Sequence, residues 1–282
     1  MPQISNKHLC AIIPTRGRRH ELSMALASLI DKDPVSAVVV VSEDDYSGDH
    51  MLMALKEAYR FNQKQLFFHK CLGREDWSVA EKRVIGSNIA DKLGYKNALF
   101  FDDDQVMATD LTGFESILGE KLFLAFQCTG VYHPGTGDAE GFSDDLEPKE
   151  KFYSLDPHAR NGLICLPYKE DFVAPTWCAQ GGAMIMEIQM AIRLWTHAML
   201  YPRNGPREDE AVCAAIAISR GEFGVFTSRY KAWHLQLPKD SQPRFRGQDD
   251  EAEKNHWRKA ANAIFWGTFH CPEVALKTYK NV

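Results

Sequence analysis

The 282-residue chain predicts an α/β fold with a mostly parallel central sheet flanked by helices, on three observations. Short apolar runs recur and break into polar loops, helix-length segments stand between them, and the run Ser36-Ala37-Val38-Val39-Val40-Val41 shows no polar alternation. A strand without alternation is buried on both faces, as in a parallel sheet covered by helices. Parallel neighbours in turn need a crossover of a dozen or more residues, usually a helix. With 45% hydrophobic residues the chain has ample material for a core.

Taken in order, His8-Leu9-Cys10-Ala11-Ile12-Ile13-Pro14 is a buried strand, Thr15-Arg16-Gly17-Arg18 a polar loop, and 21–30 a helix. The β-branched run ending at Val41 is the second strand, and it opens into Ser42-Glu43-Asp44-Asp45. A helix over 50–59, a strand over 65–69, a helix over 78–93 and a strand over 98–101 complete an alternation that implies right-handed crossovers and a Rossmann-like sheet. Beyond residue 126 the periodicity loosens, and 130–176 holds many Gly, Pro and Asp residues, as expected of long loops that bind something or are disordered. Order returns with an apolar strand after Gly181-Gly182, a helix over 187–198, a helix over 209–219, and a tail helix over 249–269 with Trp257, Ala261, Ile264 and Phe265 on one side.

A formal charge of -5 gives no global electrostatic reason to bind nucleic acid or anionic membrane. Seven cysteines without a C-x-x-C pair fit a reducing compartment. No apolar run reaches the ~18 residues that span a bilayer, and no secretory signal pattern opens the chain, so a soluble cytoplasmic protein is expected.

The most informative run is Asn97-Ala98-Leu99-Phe100-Phe101-Asp102-Asp103-Asp104-Gln105, an apolar strand ending in three carboxylates. In open α/β sheets ligands sit outside the carboxyl ends of the strands, and Asp102 and Asp104, two residues apart, are placed to converge on one hard cation. The plainer alternative is that the triplet merely solvates a strand end and starts a turn.

The motifs "AIIPTRGR", "VVVVSEDD", "AEKRVIG", "LFFDDDQV", "CAQGGAMIM", "REDEAV" and a late "WHLQ", in that order over about 8–236, resemble those of GT-A fold glycosyltransferases, nearest to the inverting family 2 type. The resemblance implies one GT-A-like domain over 1–282. A nucleotide-sugar-binding half would cover 1–126, an acceptor and catalytic half 127–236, and a C-terminal lid and helix 237–282. It also implies a nucleoside-diphosphate sugar as donor, UDP-sugar favoured, with Mn2+ or Mg2+ and transfer to an acceptor hydroxyl.

By the same resemblance Asp102 and Asp104 are the DxD pair, with Asp104 the direct metal ligand and His234 a late ligand to the same metal. Pro14, Thr15 and Arg16 would wrap the nucleotide, Glu43 or Asp44 would contact base or ribose, and Lys82, Arg83 and Asp103 would complete the donor site. A helix-surface Lys-Arg pair is the alternative at 82–83. Asp209 would be the general base with Glu208 its substitute, although carboxylates in a helix's first turn are also favoured by the macrodipole. Trp177, Gly181 and Gly182 would meet the sugar or acceptor. The acceptor is open, with a modified DNA base among the possibilities. Arg229-Tyr230-Lys231, with Lys239 and Arg244-Phe245-Arg246, reads as a lid closing on the diphosphate, the alternative being contact with the phosphates of a nucleic-acid acceptor. A sugar-phosphate nucleotidyltransferase and a non-catalytic nucleotide-sugar-binding module are the rival readings.

Overall fold

The computed structural model describes residues 9–74, 77–132, 139–140, 173–176, 182–198 and 224–235. The chain runs β1 (Leu9–Pro14), α1 (Arg19–Leu29), β2 (Val35–Ser42), α2 (His50–Phe61), β3 (Gln65–Lys70), α3 (Val79–Lys92) and β4 (Asn97–Phe101). It continues through β5 (Gln105–Met107), α4 (Phe114–Leu118), β6 (Leu124–Tyr132), β7 (Ala139–Glu140), β8 (Val173–Thr176), β9 (Ala183–Glu187), α5 (Ile188–Ala198) and β10 (Gly224–Leu235). The expected helices over 209–219 and 249–269 lie outside the described residues.

The strands form one sheet in the order β3-β2-β1-β4-β9-β6-β10-β5, with β7 beside β6 and β8 beside β10. Its first half is the expected one: β3, β2, β1 and β4 are parallel neighbours. The expectation of a mostly parallel sheet fails beyond β4, and the sheet is mixed. There β9 runs antiparallel to both β4 and β6, and β10 is parallel to β6 but antiparallel to β5 and β8. The physical reason lies in the connections. After β4 the alternation of strand and long helix stops: a three-residue turn leads to β5, which pairs with β10, and only the five-residue α4 precedes β6. Among the described residues no crossover helix therefore delivers a parallel strand to β4, and β9 takes that place antiparallel.

Two apolar layers cover the sheet. On one face Leu22, Leu26 and Leu29 of α1, Leu52 and Tyr59 of α2 and Phe114 of α4 pack on Leu9, Ala11, Val38, Val40 and Leu99. On the other, Ala80 and Ala90 of α3 and Leu194 and Trp195 of α5 pack on Cys10, Ile12, Val39 and Phe100. Each large side chain removed from water in this way contributes about 1.5–3 kcal/mol. Both faces of β1 and β4 are therefore closed, which explains their unbroken apolar sequences. On α3, Gly86 is the contact point with β1, since a Cβ there would overlap Ile12 Cγ2. The close approach brings Lys82 and Arg83, one turn earlier on that helix, beneath the carboxyl edge of the sheet.

Arg229-Tyr230-Lys231, expected in a lid, lies instead in β10. Tyr230 is buried there against Phe126 and its hydroxyl donates to Thr112 O at 2.9 Å, so this stretch belongs to the core. An aromatic between two cations fits a strand that alternates buried and outward positions as well as it fits a lid. Among the described residues, no helix is long and apolar enough to cross a membrane.

Candidate active site

From β1 the chain proceeds to β2 and β3 on one side of the sheet and returns to place β4 on the other side of β1. The carboxyl ends of β1 and β4 thus flank a topological switch point, where adjacent loops diverge and leave a crevice. Thr15 to Arg18 leave β1 on one side of it and Asp102 to Asp104 leave β4 on the other.

The three carboxylates divide by the two-residue alternation that β4 carries into the turn. Asp103 points inward and is 5% exposed, while Asp102 and Asp104 face outward and are half-buried. Asp103 ties the two sides together: Thr15 Oγ1 donates to its Oδ2 at 2.6 Å and Arg18 Nη1 to its Oδ1 at 3.0 Å. The same Arg18 nitrogen donates to Asp104 Oδ2 at 2.8 Å. Burial pushes the Asp103 carboxyl up to about 7 against the attraction of Arg18, with Asp104 and Asp102 adding to the rise and the Thr15 hydroxyl opposing it. Burial alone would lower the Arg18 pKa, but its attraction to Asp103 and Asp104 prevails and raises it.

Lys82 and Arg83 support this rim from below. They are 4% and 1% exposed, so they are not the surface pair their position on a helix would allow. Lys82 Nζ donates to Thr15 O at 3.0 Å and lies 2.6 Å from Glu43 Oε2, joining the β1 and β2 loops. Arg83 Nη2 donates to Asp102 Oδ1 at 3.1 Å, and its guanidinium lies 4.7 Å from the centroid of the Trp195 ring. A planar cation stacked on an aromatic face and paired with a carboxylate is well held for a buried charge.

Of the two β2-loop acids, Glu43 is thus engaged with Lys82. Asp44 Oδ2 accepts from Gly17 N at 2.6 Å, Ser42 Oγ at 3.3 Å and Tyr46 Oη at 3.3 Å, fixing the β1 loop against the β2 loop. Burial pushes the Tyr46 phenol up to about 12, so it remains a donor at neutral pH. Asp44, Tyr46, Met53, Phe68 and Lys70 line a recess of about 230 Å³ at the carboxyl ends of β2 and β3.

Two further expected positions meet the triplet from distant parts of the chain. Gly182 O accepts from Asp102 N at 2.9 Å, and a Cβ at Gly182 would stand 3.0 Å from Asp102 Oδ2 and 3.1 Å from Gln105 Nε2, which suits glycine. His234 lies opposite Gln105 in the β10–β5 ladder, and the next amide, Leu235 N, donates to Asp104 O at 2.7 Å. The backbone therefore brings position 234 beside the triplet. Its side chain, like Trp177, Gly181, Glu208 and Asp209, lies outside the described residues.

Pro14 ends β1 buried at the crevice, whereas Arg16 is exposed and Arg18 faces the carboxylates. The loop motif singles out Arg16 as a nucleotide contact and does not single out Arg18, the arginine that meets the triplet. Between the two arginines Gly17 adopts a φ of +68°, which sends its neighbours in different directions, and no feature of the sequence says which of them turns inward.

Among the described residues, no group of three or more His, Cys, Asp or Glu side chains could hold a metal. The chemistry of the donors still suits one class of ion. Two outward carboxylates match a hard cation such as Mg2+, which takes one or two carboxylates and completes its shell with substrate phosphates and water.

No family model matches the chain, and no curated protein matches it. Among solved structures it is similar to S. aureus TarS 1–349 in complex with UDP, at 17% identity and a TM-score of 0.49 over 83% of this chain and 62% of that one. A longer S. aureus TarS structure overlaps at 17% identity and a TM-score of 0.47, over 83% of this chain and 37% of that one. A197 from STIV gives 14% identity and a TM-score of 0.39, over 82% of this chain and 86% of that one. The chain spans less than two thirds of the TarS chains it overlaps.

Proposed function

We propose that the chain is a metal-dependent glycosyltransferase that moves a sugar from a nucleoside-diphosphate sugar to an acceptor hydroxyl. The observation that carries this reading is that the turn Asp102-Asp103-Asp104 meets the β1 loop across the switch point between β1 and β4, through Thr15 on Asp103 and Arg18 on Asp103 and Asp104. That edge is where a nucleotide binds in an open α/β sheet.

A divalent cation, Mn2+ or Mg2+, held by Asp102 and Asp104 would offset the charge that gathers on a diphosphate as the glycosidic bond breaks. Arg83 fixes Asp102 from below, and Arg18 with Thr15 anchors Asp103, the carboxylate between the two ligands. Thr15, with its carbonyl on Lys82 and its hydroxyl on Asp103, holds the first loop along the donor's path. Asp44, beside the recess at β2 and β3, is our choice for the ribose or base contact, while Glu43 acts through Lys82. On the motif resemblance Asp209, with Glu208 as its substitute, takes the acceptor proton and the anomeric configuration inverts; retention in the product would sink that assignment. The same resemblance makes a UDP-sugar the first donor to try and brings His234 to the metal.

The test is nucleotide release from UDP-, GDP-, CDP- and dTDP-sugars with and without Mn2+, for the wild type and Asp104→Ala. Metal-dependent release from one donor, abolished in the variant, is the expected outcome. If no donor is hydrolysed and none raises the melting temperature with Mn2+ present, the proposal fails and a non-catalytic binding role takes its place.

A further inference from the structure

We propose that Arg18 is the cation a divalent metal must displace from Asp104, so that the donor-free protein holds the metal weakly and binds it tightly only together with a diphosphate. The inference rests on the metal-dependent reading above and adds a residue and a coupling to it.

Three observations carry it. One guanidinium nitrogen of Arg18 serves two carboxylates, 3.0 Å from Asp103 Oδ1 and 2.8 Å from Asp104 Oδ2, with all three side chains under a fifth exposed. At that burial an ion pair is only weakly screened, so a metal approaching Asp104 meets a competitor already in place. Arg18 also occupies the N-cap of α1, where its side chain makes no capping hydrogen bond. Ser, Thr, Asp and Asn are the residues that stabilise such a position, so the arginine is not there for the helix. Finally, the two carboxylates are not equally replaceable. Thr15 also holds Asp103, which faces inward, whereas Asp104 faces outward toward any ligand of the crevice.

If a metal takes Asp104, Arg18 is left beside a second positive centre. A diphosphate relieves that repulsion, because a guanidinium fork matches phosphate oxygens in two parallel hydrogen bonds. Metal and diphosphate then favour one another through Arg18, and the coupling is reciprocal.

The experiment measures Mn2+ binding to the full chain by the electron paramagnetic resonance signal of free Mn2+. The proteins are wild type, Arg18→Met and Arg18→Lys, each with and without Asp104→Asn. Arg18→Met should bind Mn2+ at least about tenfold tighter than wild type, because it removes both the competitor and the like charge. Arg18→Lys retains the charge but replaces the fork with a strongly hydrated point donor, and should tighten binding by about threefold or more. Both gains should vanish in the Asp104→Asn background. Adding UDP, GDP, CDP and dTDP in turn, at least one should tighten Mn2+ binding to wild type and do so less in Arg18→Met.

Mn2+ binding that depends on Asp104 but is no tighter in either Arg18 variant overturns the proposal while leaving the metal site standing. A gain in Arg18→Met without one in Arg18→Lys also overturns it, because distant charge repulsion then accounts for the effect. If Arg18→Met does not fold, Arg18→Lys decides alone. Mn2+ binding that is absent, or insensitive to Asp104→Asn in every background, removes the metal reading and this inference together.

Discussion

Helices α1 and α3 both start at the carboxyl edge of the sheet, and they start in opposite ways. At α3 the Ser78 hydroxyl accepts from Glu81 N, Glu81 Oε2 accepts from Ser78 N at 2.8 Å, and Arg74 pairs with Glu81. This reciprocal box satisfies two of the amides that a helix start leaves open. At α1 the cap position is Arg18, whose side chain turns away to Asp103 and Asp104. Leaving the cap unmade forgoes about 1 kcal/mol of helix stability. A local rule is kept where the chain only has to fold and broken where it faces the carboxylates, as expected of a functional edge.

The sharpest way to break this contrast is at the carboxylates. Asp104→Asn should lower metal-dependent donor turnover by about 10³-fold, the order seen when one preorganised charge-stabilising group is removed. The melting temperature should move little, since Asp104 lies outside both apolar layers and Arg18 keeps Asp103 as a partner. A large drop in melting temperature with unchanged turnover would make the triplet structural.

Second in size is a pH effect at Asp103. Burial lifts its folded pKa to about 7, whereas an unfolded Asp releases its proton near 3.9. Between those values the folded protein binds more protons, so stability falls as pH rises from about 4 to about 7 and levels off above. The ceiling on that loss is about 4 kcal/mol. Asp103→Asn cannot ionise, so urea denaturation should show its stability gaining on wild type across that window. Parallel pH profiles for the two proteins would remove the titration from Asp103.

Third is the support beneath. Arg83→Met takes the partner from Asp102 and the cation from the Trp195 face. The expected loss is about 2 kcal/mol by chemical denaturation, below the range for a fully buried pair because Asp102 is 36% exposed and water can take the place of its partner. An unchanged midpoint would mean that Arg83 holds nothing together.

These residues also mark how far the sequence alone could be followed. β1 to β4 were legible because each strand is an apolar run and each crossover a helix, and the boundaries fell within a residue or two. β5, α4, β6 and β10 were not, because α4 has only five residues and a three-residue strand carries no period. β10 mixes Arg229 and Lys231 with the buried Tyr230, so its composition resembles a surface segment until its partners β5 and β6 are known. At the site, Asp102 and Asp104 could be found from the run "DDDQ" at the end of a strand, whereas Thr15 and Lys82 were marked only by the motif resemblance of "AIIPTRGR" and "AEKRVIG". Arg18 could not, because its orientation depends on the left-handed Gly17, and Arg16 is its equal in composition.

The smallest effect tests the other side of the contrast. Ser78→Ala removes the hydroxyl that accepts from Glu81 N, leaving that amide and the reciprocal contact unsupported. The cost should be about 1 kcal/mol, the usual loss for a serine cap. It should appear as a shifted denaturation midpoint with an unchanged slope, because the surface exposed on unfolding stays the same. Ser78 touches none of Asp102, Asp103, Asp104 or Arg18, so Mn2+ and nucleotide binding should match wild type. Weakened Mn2+ binding in Ser78→Ala would show that the starts of α1 and α3 are energetically linked through Lys82 and Arg83, and the division between a folding edge and a functional edge would then have to be given up.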